Sequence, residues 1–150
     1  MLTLDIDRQH SQDDLPTNDE LEQWATLAYL GKSSAEAALV IVDEAVMQRL
    51  NLDYRQADKT TNVLSFAANI GEIDGITHLG DIIVCAPVIS AEAQQQSKNV
   101  AAHWAHMLIH GMLHLQNYDH GNDAEAQAME SIEVELLAKL GISNPYKLLE

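Results

Sequence analysis

Two hydrophobic periods alternate along this chain, one of two residues and one near 3.6, and each change of period marks the edge of an element. Leu2-Thr3-Leu4-Asp5-Ile6 alternates apolar with polar residues, as a strand with one buried face does. After a turn at Asp13–Pro16, Thr17 or Asn18 can cap a helix with acids in its first turn. Its stripe of Leu21, Trp24, Ala25, Ala28 and Tyr29 ends at Gly31. Ala37–Val42 is continuously apolar and rich in β-branched residues, which predicts a strand covered on both faces. Asp43 can cap a short helix, Glu44–Leu50, that turns Val46, Met47 and Leu50 inward. From Asn51 the chain is polar and punctuated by turn-forming residues, so a surface loop is expected before a strand at Val63–Ala67.

Ile70–Thr77, with Gly71 and Gly75, predicts a turn or hairpin tip, and Leu79–Val84 another strand. Asp81 is an odd polar residue at the start of that strand; it either caps a turn and pairs locally or contributes to a site. Pro87 suits the first turn of a helix running to about Gln96. A second helix is expected over Val100–Leu115 and a third over Asp123–Leu140, stopping at Gly141. Asn122 and Glu125 form a capping pair for the last, whose inward stripe is Ala126, Met129, Ile132, Glu133, Leu136 and Leu137. Strands and helices do not alternate strictly. The expectation is therefore one α+β domain over residues 1–150, a small, mainly four-stranded mixed sheet packed by about five helices.

Composition narrows the class. A chain of 150 residues with 47% hydrophobic content can bury a core without disulfides. Met1–His10 lacks a basic and an apolar region, so no signal peptide is expected, and no apolar run approaches the roughly 20 residues of a membrane span. The single Cys85 ends an apolar run and reads as a buried small hydrophobe; the expected setting is the cytoplasm, away from membranes. A net charge of −15 argues against non-specific affinity for phosphates. Yet Arg49, Arg55 and Lys59 cluster within eleven positions, while many of the acids lie in the first helix region and the last thirty residues. Acidity outside and cations near one site suppress non-specific binding without forbidding a specific one.

Four histidines stand on the predicted Val100–Leu115 helix: His103, His106, His110 and His114. At 100° per residue they fall within an arc of roughly 80°. His110 and His114 are four apart and share a face, so both can reach one ion at about 2.0–2.1 Å. The same spacing relates His106 to His110. A third ligand chooses between the pairs. His120 can join His110 and His114 only if the helix stops between, and Asn117 tolerates the left-handed conformation that closes helices. Three neutral nitrogens with a fourth position open is a catalytic zinc layout rather than a structural one. His103 and His106 remain for a substrate groove, for hydrogen bonds behind the ligands, or for a local partner in the core. A zinc protease helix would read H-E-x-x-H, with glutamate as general base. Gly111 stands in that position, which removes the base and leaves space beside the metal or room for a neighbouring backbone. Asp119 is another acid within reach of the role.

His110-Gly-x-Leu-His114-Leu-x-x-Tyr118-Asp119-His120 resembles the H-G-x-L-H-L-x-G-Y-D-H signature of the YbeY endoribonucleases, bacterial ribosomal RNA maturation factors. Asn51-x-x-Tyr54-Arg55-x-x-Asp58-x-x-Thr61-Asn62-Val63-Leu64-Ser65-Phe66 is similar to a second motif of that family, and Leu79-Gly80-Asp81-Ile82 to a third. Asn117 replaces the usual glycine, and Ala67 the proline that often follows Phe66. The resemblance implies a metal-dependent endoribonuclease specific for single strands, acting in 16S rRNA 3′ end maturation and ribosome quality control. It implies zinc on His110, His114 and His120, with Arg55 and His114 catalytic. It implies single-stranded ribosomal RNA, a small-subunit ribosomal protein and an Era-type GTPase as partners.

Physical chemistry agrees with that expectation. Zinc on three neutral ligands keeps its charge and acidifies a water toward a pKa of about 7. Arg55 can contact two phosphate oxygens at once, or it can be tied structurally to Asp58 or a backbone carbonyl. Lys59 would steer the strand, and Asp81 or Asp119 would orient a water or a ligand histidine. Two other classes compete: a zinc hydrolase of peptides or small amides, and a non-catalytic ribosome assembly factor whose zinc only fastens the last two helices.

Overall fold

The segments of period two gather into one mixed sheet in the computed structural model, which describes residues 1–146. Strands β1 (Leu2–Arg8) and β2 (Ser34–Val42) run parallel to each other and to the long β5 (Ile76–Cys85). The antiparallel β3 (Val63–Ala67) forms the far edge, in the order β1-β2-β5-β3. A two-residue strand, β4 (Glu72–Ile73), adds a fifth member by folding back on β5. Asp74 and Gly75 close that hairpin with φ of 53° and 82°, the left-handed pair of a type I′ turn. The expected hairpin tip is thus a hairpin whose second arm extends β5 back to Ile76. Between β2 and β5 the register slips, with Glu36 opposite His78 but Ala37 opposite Gly80. Gly80 has φ 132°, and a Cβ there would sit 2.1 Å from the Phe66 carbonyl oxygen, so the bulge admits only glycine.

Among the described residues five helices flank the sheet: α1 (Asn18–Ala28), α2 (Glu44–Arg55), α3 (Ala86–Gln95), α4 (Val100–Leu115) and α5 (Asp123–Lys139). Thr17 is the cap of α1, in a reciprocal capping box with Glu20. Leu21 and Trp24 of α1 and Leu108, Ile109 and Met112 of α4 pack on Leu39, Ile41 and Ile82 of the sheet. Met129, Leu136 and Leu137 of α5 close the same core from the other side of α4. Enclosed on so many sides, α4 is apolar almost all round. The other face of the sheet is covered only near the ends of β2 and β5, where Met47 of α2 joins Val42, Leu64 and Cys85. β2 is therefore covered on both faces only in its last residues; Glu36 remains exposed and Ala38 half-buried.

The chain departs from expectation after Leu50. The helix does not stop there but continues to Arg55, ending at Gln56 with φ 56°. Asn51 looks like a turn-former in isolation, yet it lies one helical turn beyond Met47, is 5% exposed, and donates through Nδ2 to the Lys59 carbonyl at 2.9 Å. Tertiary burial of the Met47–Asn51 face outweighs the modest helix propensity of Asn51 and Asp53. The loop is shortened to residues 56–62, and Arg55 moves from a loop to a helix end.

Candidate metal centre

The end of α4 is built by local rules. Gln116 closes the helix and Asn117 takes φ 71°. The Tyr118 amide donates to the Leu113 carbonyl at 3.1 Å and the Asn117 amide to His114 at 3.0 Å, the paired bonds of a Schellman turn. Gln116 also fastens this turn to the rest of the molecule. Its Nε2 donates to the Ala28 carbonyl at 2.8 Å, and its Oε1 accepts from the Leu30 amide at 2.8 Å, so one side chain serves both the end of α1 and the end of α4. The reversal at Asn117 carries His120 back over the last helical turn.

His110, His114 and His120 consequently each offer a ligand atom within 4.8 Å of the others. The two helical rings have defined orientations. His110 Nδ1 lies 2.5 Å from Glu133 Oε1, and His114 Nδ1 lies 3.0 Å from the Tyr118 carbonyl. Both partners are acceptors, so both imidazoles carry their proton on Nδ1. Their Nε2 lone pairs then face each other at 3.0 Å. Such an approach is repulsive without a cation, and tetrahedral zinc at its usual bond lengths separates two nitrogens by about 3.3 Å. The donor set fits a divalent ion. Burial, reinforced by His110 and His120 beside it, holds His114 below the ordinary histidine pKa, which keeps the ring a neutral donor.

Glu133 is the element that sequence reasoning did not single out as functional. It sits in the inward stripe of α5 with no exposed surface and receives His106 Nε2 at 3.3 Å, His110 Nδ1, and the Tyr146 hydroxyl. Burial pushes its carboxyl up, but the bonds from His106, His110 and Tyr146 outweigh that and hold it at about 2. The available signal was a charged residue at a core position, since a buried carboxylate requires partners. His106 is thus occupied away from the His110–His114–His120 trio. His103, also buried, pairs with Glu92 at 2.9 Å.

A cavity of about 620 Å³ opens over the three histidines, between the end of α4 and the edge strand β3. Arg55, Asn62 and Ser65 line its far side, and Asp119 its rim. Arg55 reaches around the β3 edge: its Nη2 donates to the Ser65 carbonyl at 3.1 Å, and its guanidinium carbon lies 5.2 Å from the centre of the Phe66 ring. Asp58 is bonded instead by Gln48, and among the described residues no carboxylate is within ion-pair distance of Arg55. Asp119 Oδ1 accepts the His120 amide at 2.7 Å. Lys59 is exposed and does not line the cavity. Asp81 projects from the opposite face of the sheet, where it borders a shallow depression with Asp5, Glu36 and His78.

Gly111 does not open space beside the metal. A Cβ there would meet Ile82 Cγ2 at 3.0 Å and Ser65 Oγ at 3.2 Å, so glycine lets α4 lie directly on β3 and β5. The Ser65 hydroxyl donates to the Gly111 carbonyl at 3.2 Å across this contact. The residue that carries the base in a zinc protease points here into the sheet.

Fold and site together define a small α+β protein with a three-histidine candidate metal centre at the end of its central helix and a cationic strand edge beside it. A family model described as Endoribonuclease YbeY matches residues 5–141. Proteins named Endoribonuclease YbeY from Alteromonas mediterranea and Laribacter hongkongensis are 51% and 46% identical to this chain. The alignments cover 89% of this chain and 85% of the first, and 97% and 89% for the second. The chain belongs to the YbeY endoribonuclease family. The solution structure of TM1509 from Thermotoga maritima shares the fold, with a TM-score of 0.56 at 22% identity over 97% of this chain and all of that one.

Proposed function

We propose that this protein is a zinc-dependent endoribonuclease that cuts single-stranded RNA, with the 3′ end region of small-subunit ribosomal RNA as its substrate. One observation carries the proposal: a single cavity has three imidazoles on one wall and, on another, a guanidinium with no carboxylate partner among the described residues. A phosphodiester needs both, because its oxygens accept from a guanidinium while charge grows on them during cleavage. Zinc suits three nitrogen donors and, when bound, supplies Lewis acidity and brings a water's pKa toward about 7.

The chain's own residues do the positioning. His110 and His114, with protons fixed on Nδ1, present Nε2 to the ion, and His120 completes the set from beyond the turn. Arg55 is held by one N–H on Ser65 and directs its remaining donors to a scissile phosphate. Asp119 fixes the backbone that carries His120. Lys59, outside the cavity, attracts the approaching strand, whereas Asp81 takes no part because the sheet stands between it and the histidines. Exposed Tyr54 meets Phe66 edge-on at a centroid distance of 5.3 Å, so an aromatic surface adjoins the Arg55 guanidinium. Unpaired bases can stack on such a surface and paired ones cannot, which is the basis for single-strand preference.

A surface of net charge −15 suits a basic small-subunit ribosomal protein as partner, and an Era-type GTPase is the second partner in this proposal. The setting is the cytoplasm, where one buried thiol has no pairing requirement. Among the described residues no helix is long and apolar enough to cross a membrane. The test is incubation of metal-analysed protein with single-stranded and duplex ribosomal RNA fragments. Cleavage of the single strand alone, lost in Arg55→Ala with zinc retained, supports the proposal. Zinc-loaded protein that leaves both RNAs intact favours an assembly factor with structural zinc.

A further inference from the structure

Among the described residues one carboxylate is fully buried, Glu133, and three side chains from two different parts of the structure converge on it. Burying a carboxylate costs several kcal/mol unless its oxygens are satisfied, and a core helix position is filled more stably by leucine. Helix capping and packing of α5 do not need it: Asn122 caps that helix through the Glu125 amide at 2.9 Å, and Met129, Leu136 and Leu137 supply its apolar contacts. What the carboxylate alone supplies is an acceptor that cannot donate.

We infer that Glu133 is the positioning residue of the metal centre, holding His110 as its Nδ1–H tautomer and fixing its ring so that Nε2 faces the ion. The inference rests on the metal reading of the three histidines. His114 gets the same service from the Tyr118 carbonyl, a local group that the Schellman turn provides automatically. His110 stands one turn earlier in α4, beyond reach of that turn, and its acceptor must come from another element. α5 brings it. His106 Nε2 and the Tyr146 hydroxyl share the second oxygen of Glu133 and so keep the first free for His110. The arrangement also means that the seating of α5 and of the segment at Tyr146 is felt at the ion through one side chain.

Glu133→Gln is the discriminating change, because an amide of the same shape both donates and accepts and so no longer dictates the tautomer. Zinc affinity measured by competition with a chromogenic chelator is expected to fall 10–100-fold, the usual effect of losing a carboxylate behind a ligand histidine. Glu92→Gln, which alters the His103 pair on the same helix, is expected to leave zinc affinity unchanged. In metal-free wild type, ¹⁵N histidine spectra should show His110 protonated on Nδ1, with a tautomer mixture in Glu133→Gln. Equal zinc affinity in wild type and a folded Glu133→Gln protein overturns the positioning role and leaves the metal reading intact. A wild type without measurable zinc affinity overturns both. Should Glu133→Gln fail to fold, the wild-type spectrum decides: an Nε2–H His110 removes the basis of the inference.

Discussion

On the flank of α4 that meets α5, the polar side chains are enclosed and each has a partner, His103 and His106 through Nε2: Glu133 is fully buried, and His106 and His103 are 6% and 3% exposed. On the flank that meets β3, the polar groups face a cavity and solvent: Arg55, Asp119 and His120 are exposed, and Arg55 has a single bond to the scaffold among the described residues. The same helix thus separates a braced interior from an open surface, and the candidate ligand pair His110–His114 lies on the boundary. Groups that set ligand geometry are desolvated, where hydrogen bonds are strong and orientation is rigid. Under the proposed function the open flank meets substrate, and Arg55 is left without a charged partner so that a phosphate supplies it.

Variants can break this contrast, and the largest effect is expected at the boundary. His114→Ala removes a ligand and the Tyr118 tie together; elemental analysis should show zinc falling from about one per chain to near zero, with cleavage lost. Next comes the open flank. Arg55→Ala should slow single-strand cleavage by on the order of 10²–10³-fold with zinc content unchanged, and Arg55→Lys should restore only part, since lysine cannot contact two oxygens in one plane. Loss of zinc in Arg55→Ala would show that the two flanks are not separable. At the turn, Asn117→Val forces a β-branched residue to φ 71° and should lower stability by about 1–2 kcal/mol in denaturant titrations, while Asn117→Gly should be tolerated.

The smallest effect belongs to the braced flank. Burial holds the His103 pKa below the ordinary value of 6.5, against the raising influence of Glu92. The unfolded chain therefore takes up a proton before the folded one. The stabilising contribution is complete above about pH 6.5 and is lost as pH falls through the folded value. Denaturant titrations of metal-free protein between pH 7.5 and 5.5 should show this slope, and His103→Gln should flatten it.

Much of the centre was legible because its rules are local. The four-residue spacing of His110 and His114, the reversal at Asn117 and the return of His120 depend on backbone geometry within eleven residues. Capping at Thr17, Asp43 and Asn122 and the stop at Gly141 are local in the same sense, and the structure has each of them. Asn51–Arg55 was illegible for the opposite reason. Its residues favour turns, and only the packing of Met47 and the bond from Asn51 to Lys59 extend the helix. Gly111 was open to two interpretations, and its distance to Ile82, a residue 29 positions earlier, excludes open space.

By itself, then, the sequence determined which histidines can share an ion, where the helix beneath them ends, and that the chain forms an α+β domain. Spacing, capping and turn chemistry act between near neighbours and are written in consecutive residues. Only the tertiary structure decided that Glu133 stands behind His110, that Arg55 crosses the edge of β3 into the same cavity, and that Asp81 faces away from it. Those relations join residues 23, 10 and more positions apart, and they follow from which helix packs on which strand. Packing is set by the whole core at once, so no local pattern encodes it.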